Sequence, residues 1–133
     1  MSERQRISLS GYTVSPQIAV SDMARAAEFY EGRLGLSPAG DQHDGSRTYA
    51  CGGGSVLHVY ASPSHAGKAT ATVARWDVDD LERVINELSA NGVIFEQYDA
   101  PVKTDEKGIH DSGYGKVAWF KDPDGNTFAL EQV

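Results

Sequence analysis

The residue of this chain with the clearest potential for chemistry is His58, which stands in the short apolar run from Val56 to Tyr60. An imidazole titrates near neutral pH, so His58 is a candidate general base and a candidate hydrogen-bonding group for a ligand. The alternative is a structural histidine that is satisfied by a neighbour such as Tyr60. His58 is therefore a candidate whose role the sequence leaves open.

Arg75 is the second candidate, since it also interrupts a largely apolar run. A guanidinium group can clamp a carboxylate or another anion through two parallel hydrogen bonds. The alternative is a structural ion pair with Glu131 or Asp77.

Trp119 and the segment from Lys103 to Asp111 are further candidates. Trp119 could stack on a planar ligand, although its place beside a hairpin also favours packing in the core or in a dimer interface. The segment could form a lid that brings His110 to the site, with hinges at Gly108, Gly113 and Gly115, or it could be a solvated polar loop.

The first half of the chain predicts a strand, a helix and further strands. Thr13 to Val20 has the pattern of a strand, and Asp22 follows it as a helix N-cap. Apolar residues then recur at helical spacing until Gly35 ends the helix. Strands are predicted at Tyr49 to Cys51 and Ser55 to Ala61, joined by three glycines, and another near Ser37 to Gln42.

The second half repeats this order. A strand is predicted from Ala71 to Val78, a helix after the cap Asp80, and strands at Val93 to Tyr98, Lys116 to Lys121 and Thr127 to Gln132. Between the last two, Asp122-Pro123-Asp124-Gly125 predicts a tight hairpin, because Pro fixes φ for a type I turn and Gly takes the left-handed conformation.

This repetition predicts one domain over residues 1–133, made of two modules. Module one spans about 12–62, a linker about 63–69, and module two about 70–133. Alternation along the strands divides their residues between two faces. The mixed, cleft-facing set is Ser15, Gln17, His58, Tyr60, Val73, Arg75, Ala129 and Glu131; the apolar, helix-facing set is Ile18, Val20, Leu57, Val59, Trp76, Val78, Phe128 and Leu130.

Composition excludes several kinds of partner. A formal charge of −7 opposes binding to nucleic acid or to an anionic membrane surface, since both require a positive field. No apolar run has the length of a membrane span, and a cytoplasmic protein is expected. Cys51 is the single cysteine, which excludes an intrachain disulfide and a cysteine-based zinc site.

The two Val-x-Asp-helix units, with Leu34-Gly35-Leu36 and the later Phe120-Lys121-Asp122-Pro123-Asp124-Gly125-Asn126, resemble the vicinal oxygen chelate superfamily, also called the glyoxalase, bleomycin-resistance and extradiol dioxygenase superfamily. The resemblance covers nearly the whole chain. It implies an α+β fold of two tandem βαβββ modules, whose curved mixed sheets form a cleft, commonly within a homodimer.

The resemblance also implies four metal-ligand positions in metal-dependent members, on the first and last strands of each module. Here these positions hold Ser15, His58, Val73 and Ala129, of which His58 alone is a strong ligand. Catalytic metals need about three protein ligands. No metal centre and no cofactor are therefore expected, and the alternative is a displaced site of Gln17, His58 and Glu131.

The sequence thus predicts a protein that binds a small planar or anionic organic molecule in its cleft. The predicted ligand-binding residues are Gln17, His58, Tyr60, Arg75, Trp119 and Glu131, and a homodimer is expected. The alternatives are a metal-dependent glyoxalase-like lyase, isomerase or dioxygenase, with His58 as base or metal ligand, and a structural dimer without a working cleft.

Overall fold

The fold of the chain is given by a computed structural model that describes residues 7–40 and 44–133. In this part of the chain the strands form two four-stranded mixed sheets. The first has the order β1-β4-β3-β2 and the second the order β5-β8-β7-β6. The strands are β1 (Gln17–Val20), β2 (Ser37–Pro38), β3 (Arg47–Ala50), β4 (Val56–Ala61), β5 (Thr72–Asp77), β6 (His110–Asp111), β7 (Lys116–Lys121) and β8 (Thr127–Gln132). The predicted α+β fold of two repeated modules is confirmed.

The two sheets repeat one pattern of pairing. In each, the first strand is parallel to the last, so β1 pairs with β4 and β5 pairs with β8, while the other neighbours are antiparallel. A parallel pair needs a crossover connection, which in each module contains the helix. The predicted bounds of β7 and β8 are confirmed. Of the strand predicted near Ser37 to Gln42, the two residues of β2 are formed, and residues 41 and 42 lie outside the described part of the chain.

The two helices begin at the predicted caps but differ in kind. The Asp22 carboxylate accepts from the N–H groups of Ala24 and Arg25 at the start of α1 (Met23–Ala27), and Asp80 caps α2 (Leu81–Ala90). α1 continues as a π-helical turn, Glu28–Arg33, which the sequence did not predict. Neither helix, nor any other in the described residues, has the length and apolar character needed to cross a membrane.

The strand predicted from Val93 to Tyr98 is wrong. This segment makes one isolated bridge, between Phe95 and Phe120. Both backbone polar groups of Tyr98 are bound by Thr104 instead, at 2.8 and 2.9 Å. A six-residue strand would need those groups for a ladder, so the loop that follows competes with the sheet.

Both modules pack onto one core. The inner face of each sheet, meaning the face that contacts this core, contributes buried side chains to a single hydrophobic cluster. Tyr30 of module one lies between the sheets, with its ring 5.9 Å from that of Tyr49 and 6.0 Å from that of Phe128. Phe29 likewise contacts Phe120, at 6.3 Å. The predicted helix-facing residues all lie in or against this core, although Trp76 and Val78 are only partly buried.

The turn between β7 and β8 joins the modules. Asp122 is 5% exposed, and its carboxylate accepts from the Tyr30 hydroxyl at 2.6 Å. Its other partners are Asn126 and the N–H of Asp124, within the same turn. Burial, reinforced by the Asp122 charge, raises the pKa of Tyr30 far above its usual value, so this phenol stays a hydrogen-bond donor.

We expect Tyr30→Phe to destabilise the fold by about 1.5–3 kcal/mol, because it leaves a buried carboxylate short of one donor. Tyr49→Phe is the matched control: Tyr49 is also buried, but its hydroxyl bonds to Glu31, a carboxylate that water can reach. Its loss should stay below about 1 kcal/mol. Urea unfolding of the two variants measures both values, and equal losses would contradict a special role for the Tyr30–Asp122 bond.

Candidate functional site

The outer face of the first sheet, which is the face turned away from the core, carries a row of polar side chains. The Cα partners of His58 are Gln17 on β1 and Thr48 on β3, so the three residues lie side by side. His58 Nδ1 shares a hydrogen bond of 3.0 Å with the Thr48 hydroxyl, and its ring stacks on Tyr60 at 6.3 Å. Because Nδ1 is engaged, Nε2 is the nitrogen through which His58 would meet a ligand.

The outer face of the second sheet carries the charged residues. Arg75 pairs with two carboxylates, through Nε to Asp77 at 2.9 Å and through Nη1 to Glu131 at 2.8 Å. This is the structural ion pair that the sequence offered as the alternative to an anion clamp. With two carboxylates on one guanidinium, the group has a net charge of −1, which does not favour an anionic ligand.

Trp119 lies on the same outer face, because its Cα partner is Ala129, which in turn pairs with Arg75. Its half-buried ring makes a T-shaped contact with the ring of Tyr98, with the ring centres 5.6 Å apart. The pair forms an aromatic surface beside the charged group. Such a surface suits a planar molecule, which can stack on it and bury its apolar faces.

His110 reaches this face by the pairing of β6 with β7. It lies opposite Val117, which pairs with Glu131, so the three share one row. The segment before it is held in place, since His110 Nδ1 donates to the Lys103 carbonyl at 2.9 Å and Ile109 is 7% exposed. At Gly108 a Cβ would stand 2.9 Å from the Glu96 carbonyl oxygen. Gly108 is therefore a close-packed position that only glycine fits, and its role as a hinge, with Gly113 and Gly115, stays a prediction.

The family-type metal positions hold one strong donor. His58 stands alone among Ser15, Val73 and Ala129, and Val73 lies at a β-bulge where it packs partly against the core. In the displaced alternative, Gln17 adjoins His58, but Glu131 belongs to the other sheet and binds Arg75. Residues 7–40 and 44–133 contain no group of three His, Cys, Asp or Glu placed to hold a metal ion. Within one chain, the described residues at these positions supply fewer donors than the three or so that a catalytic metal needs.

The two outer faces do not face each other within one chain. Both inner faces contact the same core, and Tyr30 touches residues of both sheets from between them. The outer faces therefore look away from the core on opposite sides. The structure does bring Gln17, His58 and Tyr60 together on one face, and Arg75, Trp119 and Glu131 together on the other, but it separates these two groups.

Sequence reasoning missed two residues of these faces. Thr48, the partner of His58, was not predicted because it precedes the predicted strand Tyr49 to Cys51. Pairing that strand with Ser55 to Ala61 across the glycine turn would have extended it to Thr48. Tyr98 was assigned to a strand, and nothing local indicates that it packs on Trp119.

Comparisons with protein-family models and with solved structures find proteins of similar fold. The chain matches the family model "Glyoxalase/Bleomycin resistance protein/Dioxygenase superfamily" over residues 11–130. A glyoxalase/bleomycin resistance protein from Catenulispora acidiphila is similar in structure, with 27% identity, a TM-score of 0.67, and coverage of 90% of this chain and 96% of that one. No curated protein matches in sequence.

Two further solved structures share the fold at lower identity. TnmS3, an antibiotic binding protein from Streptomyces sp. CB03234, is 24% identical, with a TM-score of 0.67 and coverage of 97% of this chain and 98% of that one. The bleomycin resistance determinant encoded on transposon Tn5 is 23% identical, with a TM-score of 0.68 and coverage of 91% and 97%.

We expect Arg75→Gln to change the free energy of unfolding by less than about 1 kcal/mol, because exposed ion pairs contribute little in water. Its side chain is 54% exposed even with both partners in place. Arg83→Gln, which removes an exposed ion pair within α2, supplies the baseline in the same urea titration. A loss several times that baseline would show that the Arg75 pairs hold the sheet together.

Proposed function

Because the chain belongs to the glyoxalase/bleomycin resistance protein/dioxygenase superfamily, we propose that it binds a small planar organic molecule between outer sheet faces, without a metal centre. The observation that carries this proposal is the contrast between a fully retained fold and a donor set reduced to His58 at the metal positions. The same faces keep the aromatic and hydrogen-bonding groups that an organic ligand needs.

The chemistry of the two faces supports a neutral or cationic aromatic ligand. Trp119 and Tyr98 offer a stacking surface, while Gln17, His58 and Tyr60 offer hydrogen bonds. Arg75 is already bound by two carboxylates, so it adds no free positive charge. This refines the ligand expected from the sequence, which was planar or anionic, by making a cation the better partner.

A homodimer is the second part of the proposal. A second copy would bring the outer face of its second sheet over the outer face of the first sheet, and so close a cleft that one chain leaves open. The segment from Ile7 to Val14 supports this, because it exposes Ile7, Leu9, Tyr12 and Val14, each by 68% or more. Exposed apolar area of this kind is typical of interaction surfaces. The cytoplasmic location stays a prediction.

We expect proflavine, a planar cation, to bind at least tenfold more tightly than 9-anthracenecarboxylate, a planar anion of similar size. Fluorescence titration measures both affinities. Trp119→Ala should weaken proflavine binding by about tenfold, because the stacking surface is lost. Tyr114→Ala is the control, since Tyr114 is a 93% exposed aromatic residue on a turn.

Two outcomes would contradict this proposal. Equal or tighter binding of the anion would overturn the charge assignment, and proflavine binding that Trp119→Ala leaves intact would overturn the site. The metal-free part is tested by titrating chelator-treated protein with Ni²⁺, Zn²⁺ and Fe²⁺. Tight, stoichiometric binding that His58→Ala abolishes would favour the metal-dependent lyase or dioxygenase.

A mixing experiment tests whether the cleft is shared. His58→Ala and Trp119→Ala proteins should each bind proflavine poorly, because each carries one damaged face. In a mixed dimer one cleft carries both changes and the other carries neither. Mixing should therefore restore about a quarter of the wild-type capacity, from random pairing of copies with shared sites. An unrestored mixture, or a monomer in sedimentation velocity, would contradict a shared cleft.

A further inference from the structure

An apolar cavity lies on the inner side of β5, away from both outer faces. It has a volume of about 230 Å³ and stands where the two modules meet. Module one contributes the end of its helical segment, and module two contributes α2, β5 and the centre of its sheet. The lining residues are Leu34, Leu36, Trp76, Asp77, Val78, Val84, Leu88, Phe120 and Leu130.

The π-helical turn shapes the first wall of this cavity. Leu34 N–H donates to the Phe29 carbonyl at 3.0 Å, five residues back, and Leu36 N–H donates to Tyr30. Between the two leucines, Gly35 turns the chain at φ +75°. π-Helical turns re-aim the side chains that follow them and occur often at functional sites. α2, the equivalent helix of module two, is a regular α-helix over its whole length.

The walls are apolar and incompletely covered. Leu34, Leu36, Trp76, Val84 and Leu88 touch the core but remain partly exposed. The rings of Trp76 and Phe120 lie nearly parallel, with their centres 6.2 Å apart. Phe120 is fully buried, whereas Trp76 is only partly buried, so Trp76 is the aromatic wall that a ligand would meet. An apolar cavity of roughly 150 Å³ is large enough to take up benzene. This one therefore has room for a slightly larger molecule.

Asp77 is the one polar residue among those that line the cavity. Its carboxylate lies on the outer side of β5, because Oδ1 accepts from Arg75 there. The side chains that face the cavity are therefore apolar.

We propose that this cavity is a separate binding site for a small, uncharged aromatic molecule of one or two fused rings, held by contact with its apolar walls. The site does not depend on the outer-face ligand, because Trp76 and Trp119 belong to opposite sides of the second sheet. It would remain even if no ligand bound the outer faces.

The chain has two tryptophans, one for each site, and this makes the experiment direct. The full-length protein is labelled with ¹⁵N, and the two indole N–H signals are followed by NMR during addition of unlabelled indole. We expect the Trp76 signal to shift and saturate with a Kd on the order of 1 mM or tighter, while the Trp119 signal stays in place. Indene, which has the same shape but no N–H donor, should bind at least as tightly, because the apolar walls offer no partner for that donor.

Two filling variants and one matched control locate the binding. Val84→Phe and Leu36→Trp each fill the cavity from a different wall and should abolish the Trp76 shift, with the dispersion of the backbone signals showing that each protein is folded. Ile94→Phe adds an aromatic ring at an 80% exposed position elsewhere and should leave binding unchanged.

Three results would overturn the proposal. The first is a Trp76 signal that stays unmoved up to the solubility limit of indole, and the second is a shift that persists in both filled variants. The third is a Trp76 signal that responds to protein concentration and not to indole, which would assign the cavity to contact with a second copy. Failure of proflavine binding at Trp119 is read from the other signal, so the two proposals are judged separately.

Discussion

The rest of the structure depends on the need to satisfy one buried carboxylate, that of Asp122. An ionised group away from water is tolerated only when hydrogen bonds replace its hydration. Three of its four donors come from its own turn, but the fourth, the Tyr30 hydroxyl, comes from the other module. The turn can therefore be fully satisfied only when the two modules are docked.

The neighbours of Asp122 extend this docking contact. Asp124 accepts from Ser21 and from Arg25, and Asn126 donates to the Ala19 carbonyl, so every acidic or amide side chain of the turn reaches module one. These hydrogen bonds fix the position of β1 and α1 relative to the second sheet. The helices and the inner faces of both sheets therefore share one core, and the outer faces look away from each other.

The same turn shows what sequence reasoning can and cannot reach. Its conformation is local chemistry, set by Pro123 and Gly125, and the strands on either side were predicted at their true bounds. Its partner Tyr30 lies 92 residues away and looks like any other aromatic residue on a helical stripe. The composition of Val93 to Tyr98 led to a wrong prediction, because its β-branched and aromatic residues favour a strand. In the structure, both backbone polar groups of Tyr98 bind Thr104 instead.

For the site residues too, the sequence predicted the face on which each lies but not the contacts it makes. Alternation with period two places Gln17 and His58 on one face, and the structure adds that they are direct partners across β1 and β4. It also allows Arg75 to meet Glu131 and Asp77, but only distances show that both pairs form. The inner cavity gives no sequence signal, because Leu34, Leu36 and Trp76 have the composition of ordinary core residues. The cavity is a gap between elements of the two modules, so its presence depends on how the modules pack against each other.

Strand β5 is where these constraints meet, because its alternate residues serve both candidate sites. The bulge between Thr72 and Ala74 sets which residue faces which side, since it aligns Arg75 with Ala129 and Trp76 with Leu130. Without the extra residue, the pairing would advance by one, and Arg75 would stand beside the buried Leu130. A guanidinium would then enter the core, and Trp76 would leave the cavity for the outer face. Because of the bulge, the pairing of β5 does not repeat that of β1. This one strand therefore has an ion pair on its outer side and the ring of Trp76 on its inner side.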